Sequence, residues 1–519
     1  MVRLFKDAPD AVTTGVLDTS FLDLAEDFDE LASLSGSMSS RLVRTGRELL
    51  RARGHLHGDT LDLLEDQLRW FRSTYDRLRR EQVGLRWEAG RGRRSLPLLE
   101  GLAERKRAHA DHLRSLQSSA AALITASDWQ SPSYDHAVSS MAGRHTGRVT
   151  EHVDDYKRDR HPDAAAFEQA YLREYVDAAR ALGLRALMTG CGMSAFATIL
   201  AYLTMERLVR GPVLLGASVY HECRDLIARS ELGPLVHEVP EMRTDLIQRA
   251  IDELRPDAVF LDSLCNAKGI HLPDLPRIVE HLGRNGDRCT LVVDNTGLSC
   301  SLQPFSLLSP ETRTVRLIVF ESLTKYAQLG LDRTAAGMIV AGAEDGAAMD
   351  GYREHLGTNV ADAVVWTVPE PNRGLLMRRL RRIGRNASLL ACRLHREAAA
   401  HPGVLLGVSH PSLPDHPSHD LAGALPFPGG FLSLDFVRSM DRTEVHRRFV
   451  RLALDEAGRR HVPLAAGASF GFDTTRVYVT ATTATAARPF VRIAAGTEHL
   501  HAAETMAETL ASAIAHLDR

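Results

Sequence analysis

The run RLIVFESLTKY, Arg316 to Tyr326, decides the fold: an apolar strand ends in two hydroxyl residues, Ser322 and Thr324, beside Lys325. Similar short apolar runs bounded by turn residues surround it. They are PVLLGA (Pro212 to Ala217), DAVFLDS (Asp257 to Ser263), TLVVDN (Thr290 to Asn295) and GMIVAG (Gly337 to Gly342). From about Leu184 to Gly342 these runs alternate with helical segments, the pattern of an α/β region with a mostly parallel sheet covered by helices. In open α/β sheets ligands bind at the carboxyl ends of strands, so the polar residues there come first.

Outside this region the chain changes character. From about Leu22 to Ser127, residues such as Leu61, Leu64, Leu68 and Phe71 recur at helical spacing between charges, which predicts an all-helical N-terminal extension. Within it, EAGRGRRSLP (Glu88 to Pro97) reads as a solvated loop. After Pro369-Glu370-Pro371, an Arg- and Leu-rich helix leads to a smaller α+β region. Its strands are expected at GGFLSLDF (Gly429 to Phe436) and RVYVTATT (Arg476 to Thr483), with a closing helix at His499 to Leu517. The expected domains are 1–140, 141–370 and 371–519. That number suits a 519-residue chain, because single cores stop growing near roughly 250–300 residues.

Composition excludes several function classes. The apolar fraction is 44% and the charged fraction 25%, as in globular proteins. A formal charge of -3 gives no reason to expect nucleic acid or an anionic membrane as partner. The cysteines are scattered without a C-x-x-C pair, and MVRLFKDAPDAVTTG lacks an apolar leader, so a reducing cytoplasm is the expected setting. Ala186 to Met205 carries no charge, but its glycines, threonines and serine read as a buried strand, turn and helix and not as a membrane span. The histidines of HPSLPDHPSHD (His410 to Asp420) are interrupted by prolines, so no metal is expected there.

Strand ends supply the groups that a pyridoxal 5′-phosphate site needs. TGCGMSAF (Thr189 to Phe196) leaves a strand and starts a helix, where the amides of Gly192 and Met193 can meet a phosphate; glycines at such turns are also often structural. Asp294 closes an apolar strand, where a buried carboxylate needs a cationic partner such as a protonated pyridine nitrogen, unless it caps the next turn. Ser322 and Thr324 can bind phosphate, and Lys325, at an apolar strand end, can act as an imine-forming amine.

These residues resemble the cystathionine γ-synthase and methionine γ-lyase group, the Cys/Met metabolism family of fold-type-I pyridoxal phosphate enzymes. YKRDRHP (Tyr156 to Pro162) is similar to the family's Y-x-R-x-x-N-P, and GCGMSA to its S-S-G-M-x-A. DSLCNA (Asp262 to Ala267) is similar to E-S-P-T-N-P, VVDNTGLSCSLQPF to V-V-D-N-T-F-x-x-P-x-x-Q-P, and ESLTKY to H-S-x-T-K-Y. HPSLPDHPSHDLA, GGFLS and VRIAAGTEH (Val491 to His499) resemble its C-terminal substrate-binding domain in the same order.

The resemblance implies that Lys325 carries the cofactor as a Schiff base and that Asp294 pairs with the pyridine nitrogen. Asn266 would bond the ring's phenolic oxygen. Tyr220 would stack on the ring and serve as acid or base, while Gly192, Met193, Ser322 and Thr324 would hold the phosphate. Tyr156 and Arg158 would reach the phosphate of a neighbouring subunit, which implies a homodimer or homotetramer. Arg492 would grip the substrate carboxylate, with Ser469 alongside. Where the family has a small residue after the stacking tyrosine, this chain has His221 and Glu222, so Glu222 is a candidate for choosing the substrate unless it merely pairs with Arg224. The implied reaction is γ-elimination or γ-replacement on a small-molecule amino-acid substrate with a Cγ leaving group: an O-acyl homoserine, methionine, cystathionine or an S-adenosylmethionine-like sulfonium. β-Elimination, transamination and a non-catalytic scaffold are the alternatives.

Overall fold

The computed structural model describes residues 9–51, 58–92, 94–127, 162–285, 288–312, 314–480 and 488–518. Its N-terminal part is three long helices, α1 (Pro9–Arg51), α2 (Gly58–Arg91) and α3 (Leu96–Ala126). Each presents one apolar stripe: Phe21, Leu24, Phe28 and Leu31 on α1, and Leu61, Leu64, Leu68 and Tyr75 on α2, are buried. At about 1.5–3 kcal/mol for each large buried side chain, this stripe is what holds the bundle. The loop expected at Glu88 to Pro97 is shorter than the sequence suggests. α2 runs on through Arg91, whose guanidinium lies 3.8 Å from the Trp87 ring centroid, and Glu88 pairs with Arg105 of α3 at 3.1 Å. Side-chain partners across the turn outweigh the helix-weakening glycines.

The bundle is docked through buried charge. Arg41, inside the α1 face, donates to the carbonyls of Trp366 (2.6 Å) and Val368 (3.2 Å) and pairs with Glu370 (3.1 Å). A buried guanidinium requires such partners.

α4 (Pro162–Tyr175) leads into the large domain. Its strands are β1 (Arg185–Thr189), β2 (Val213–Gly216), β3 (Val236–Val239), β4 (Ala258–Asp262), β5 (Cys289–Asp294), β6 (Val315–Ser322) and β7 (Gly337–Ala341). The described residues form one seven-stranded sheet in the order β1-β7-β6-β5-β4-β2-β3. Pairs among β2 to β6 are parallel, whereas β7 is antiparallel to both β6 and β1. Helices α5 (Gly192–Met205), α6 (His221–Arg229), α7 (Thr244–Leu254) and α8 (Leu275–Arg284) connect β1 through β5 in turn, and α9 (Ala343–His355) follows β7. Every residue of β2 and β4 is buried, which explains their continuous apolar runs.

α10 (Asp362–Thr367) and α11 (Arg373–Ala400) lead to a second sheet. Its strands are β8 (Leu405–Ser409), β9 (Phe431–Phe436), β10 (Ala465–Ala466), β11 (Arg476–Thr480) and β12 (Phe490–Ala494), in the order β10-β11-β12-β9-β8, with α11 and α12 (Thr443–Arg459) against it and α13 (Leu500–Leu517) packed on those two helices. Among the described residues no helix is long and apolar enough to cross a membrane, and no three His, Cys, Asp or Glu side chains are grouped to hold a metal ion.

Candidate active site

Parallel pairing in register sets the carboxyl ends of β4, β5 and β6 side by side, with Asp262 opposite Asp294 and Asp294 opposite Phe320. β1 delivers its own carboxyl end to the same edge: Thr189 pairs with Gly337, and Gly337 with Ser322. Gly192 then opens α5 directly against Ser322. A Cβ on Gly192 would lie 2.8 Å from that of Ser322, so the close approach requires glycine. Gly192 and Met193 belong to the first turn, whose amides an α-helix leaves without intrahelical partners. The Met193 side chain points elsewhere and accepts from Cys223 Sγ at 3.8 Å. The Ser322 amide donates to Thr296 Oγ1 (2.9 Å), and Thr324 follows half-buried.

Lys325 is buried enough for desolvation to pull its pKa below the usual lysine value, while Asp294, Asp332 and Glu222 act in the opposite sense. Its Nζ donates to Ser469 Oγ at 2.6 Å. Burial pushes the Asp294 carboxyl up, against the Thr296 amide that donates to it at 2.9 Å and the positive charge of Lys325. Desolvated lysine, buried carboxyl and a helix start facing Ser322 are groups that could meet pyridoxal phosphate at its aldehyde, ring nitrogen and phosphate.

Arg492 and Asn266, expected to serve different atoms of cofactor and substrate, touch one another. Arg492 Nη1 donates to Asn266 Oδ1 (2.6 Å) and Nη2 to the Asn266 carbonyl (3.1 Å). The buried Arg492 Nε has no hydrogen-bond partner among the described residues, so the hydrogen-bonding capacity of the guanidinium is not fully met. The rings of Phe431 and Phe490 lie 4.7 and 5.3 Å from its guanidinium.

Tyr220 ends the β2 turn as the residue before α6, its amide donating to Asp262 Oδ2 at 3.1 Å. Burial and then the negative charge of the nearby Glu222 raise its hydroxyl pKa, so the phenol stays protonated at neutral pH. Glu222 therefore faces Tyr220 and also acts electrostatically on Lys325. Arg224, the alternative partner, is engaged by Glu238 (2.5 Å) and the Ala217 carbonyl (2.6 Å). Tyr156 and Arg158 lie outside the described residues.

Sequence reasoning missed two carboxylates. Glu321 replaces the histidine of the lysine motif; Tyr171 Oη (2.7 Å) and Ser299 Oγ (2.6 Å) donate to it, and burial pushes its pKa up to about 7. Asp473, in the turn after Ser469, accepts from Arg379 Nη2 and Arg114 Nη2, each at 2.7 Å.

Comparison with known proteins agrees with this geometry. Among curated proteins, the bifunctional enzyme flvA of Aspergillus flavus is 26% identical over 363 residues, covering 69% of this chain and 42% of flvA. The chain thus spans less than half of the curated relative it matches. Among solved structures, cystathionine γ-synthase of Xanthomonas oryzae pv. oryzae superposes with a TM-score of 0.54 at 20% identity, covering 72% of this chain and 90% of that one. The methionine γ-lyase CalE6 of Micromonospora echinospora gives 0.53 at 24%, covering 69% and 87%. These likenesses establish the fold as that of fold-type-I pyridoxal phosphate enzymes. The profile of the Cys/Met metabolism PLP-dependent enzymes matches residues 106–452, more than half of the chain, and this protein belongs to that family.

Proposed function

We propose that the enzyme catalyses γ-elimination or γ-replacement on an amino acid with a leaving group at Cγ. The observation that carries this reading is that two proton-handling groups meet at the same strand ends: the desolvated amine of Lys325, which donates to Ser469 Oγ at 2.6 Å, and the Tyr220 hydroxyl, kept protonated by burial and the nearby Glu222 carboxylate. γ-Chemistry needs protons moved at both Cα and Cβ and a proton or charge supplied to the departing group, more than one side chain serves easily.

Gly192, Met193, Ser322 and Thr324 would hold the cofactor phosphate, Asp294 the ring nitrogen, Asn266 the phenolic oxygen and Lys325 the aldehyde carbon. Bound there, the cofactor withdraws electrons from the substrate and so acidifies its Cα and then its Cβ protons. Lys325, with its lowered pKa, accepts and returns these protons. Tyr220, kept protonated by burial and the nearby Glu222, acts as the acid toward the Cγ substituent. Arg492 binds the substrate carboxylate, with Ser469 beside Lys325. Glu222 also places a negative charge near the substrate that a cationic side chain, such as a sulfonium, would satisfy. Tyr156 and Arg158 complete the site from a second subunit.

The test is a screen of O-acyl homoserines, methionine, cystathionine and S-adenosylmethionine, followed in D₂O. The expected outcome is 2-oxobutyrate with deuterium at Cβ and Cγ, or, when a nucleophile is present, a γ-substituted amino acid with deuterium at Cα and Cβ. Pyruvate as the only keto acid, with recovered substrate exchanged at Cα alone, would instead show β-elimination.

A further inference from the structure

The helical extension meets the active site through one carboxylate. α1 carries Asp23, Glu26, Asp27 and Glu30 on a single face, and α11 answers with Arg379, Arg382 and Arg385. Arg382 pairs with Asp27 and with Glu26 (2.5 Å), Arg385 with Asp23 (2.8 Å), and Arg379 with Glu30 (3.1 Å). This ladder fixes the bundle against α11. From α3, Arg114 then reaches farther: its Nη2 donates to Asp473 Oδ2 (2.7 Å) and its Nε to the Gly330 carbonyl (3.1 Å), while Arg333 Nε donates back to the Arg114 carbonyl (2.8 Å). Arg114 thus ties together the segment that follows Lys325 and the segment that follows Ser469.

The second segment needs holding. Ser469 has φ +82° and Gly471 φ +91°, both in the left-handed region. Gly471 is pressed against the lysine itself, since a Cβ there would lie 2.9 Å from the carbonyl carbon of Lys325. Arg379 Nη2 bonds both the Gly471 carbonyl (3.1 Å) and Asp473 Oδ1 (2.7 Å), and Thr497 donates its amide to the Asp473 carbonyl (3.0 Å). At the far end of this turn stands Ser469 Oγ, 2.6 Å from Lys325 Nζ.

We propose that the N-terminal extension is a positioning element of the active site: Arg114, acting through Asp473, fixes the 469–473 turn and thereby holds Ser469 against the Lys325 amine. Burial alone would raise the Asp473 pKa, but Lys106, Arg379 and Arg114 hold it well below the usual carboxylate range, so the tie is ionised throughout the neutral range. Arg114 is a positioning residue and touches neither substrate nor cofactor. The inference rests on the reading of Lys325 as the cofactor lysine.

The test compares Arg114→Ala, Arg114→Lys, Ser469→Ala and the Arg114→Ala/Ser469→Ala double variant with the parent, using Arg105→Ala as a control within the extension. Two titrations are read: the pH midpoint of the cofactor absorption band in the holoenzyme, and the pH midpoint for acylation of Lys325 in cofactor-stripped protein, followed by peptide mass spectrometry. The charged groups acting on that amine, Asp294, Asp332, Glu222 and Arg476, are unchanged in every variant. Ser469→Ala and Arg114→Ala should shift both midpoints in the same direction, and the double variant no farther than Ser469→Ala. Arg114→Ala should lower kcat on the order of 10- to 100-fold with KM little changed, as expected for a misplaced catalytic group. Arg114→Lys should fall between, and Arg105→Ala should match the parent. Midpoints unchanged in Arg114→Ala, or shifts that add in the double variant, would overturn the proposal. If Arg114→Ala does not fold, Arg114→Lys decides by the same criteria. Cofactor attached to another lysine would refute the reading of Lys325, whereas the acylation series would still test the tie.

Discussion

Replacing Arg492 by lysine separates substrate recognition from cofactor binding. The guanidinium places Nη1 2.6 Å from Asn266 Oδ1 and Nη2 3.1 Å from the Asn266 carbonyl, and leaves Nε without a partner among the described residues. An ammonium retains the charge near the rings of Phe431 and Phe490 but can fill only one position of that fork. At least one charge-assisted bond to an incoming carboxylate is lost, which costs about 1.5–3 kcal/mol. In dissociation constant that is roughly 10- to 150-fold. The assay titrates an unreactive amino acid and its primary amide into parent and variant and follows the cofactor band. The parent should prefer the acid; the variant should lose roughly 10- to 150-fold for the acid and little for the amide, with an unaltered spectrum before ligand is added. Equal weakening of acid and amide, or no weakening of the acid, would remove Arg492 from the carboxylate site.

Lys325→Ala should still bind pyridoxal phosphate through its phosphate contacts but yield no borohydride-stable attachment; a stable adduct mapped to another lysine would contradict the assignment. If the site is shared, Arg158→Ala and Lys325→Ala chains, each inactive alone, should regain part of their activity in mixed oligomers, and mixed oligomers without activity would count against it. For Glu321, burial raises the folded pKa from 4.5 to about 7, so its contribution to stability is fully present below about pH 4.5 and fades as pH rises through about 7. Glu321→Gln should therefore flatten the fall in Tm across that window, and a pH profile parallel to the parent's would show that Glu321 is not its source.

The residues legible in the sequence are those whose chemistry conflicts with their local setting. Asp294, Ser322 and Lys325 each close an apolar run, and a polar group at a buried strand end needs a partner or a ligand. Residues whose setting is unremarkable gave no such signal. Asp473 reads as an ordinary turn residue in FGFDTT, and its partner Arg114 lies 359 positions away. The Asn266 and Arg492 pair, 226 positions apart, illustrates a related loss: each residue could be matched to a motif, but not their contact with one another. Burial tells only that a charge must be met, since many surface and interior groups can meet it. One long-range match is nonetheless written in the chain. Acids at 23, 26, 27 and 30 and arginines at 379, 382 and 385 share the three- and four-residue spacing of a helix face. Two helix faces of opposite sign and equal period are complementary by charge and spacing alone. The docking of the extension on α11 thus leaves a periodic trace in the sequence, whereas the tie from Arg114 to Asp473, a single residue on each side, carries no period and is visible only in the folded chain.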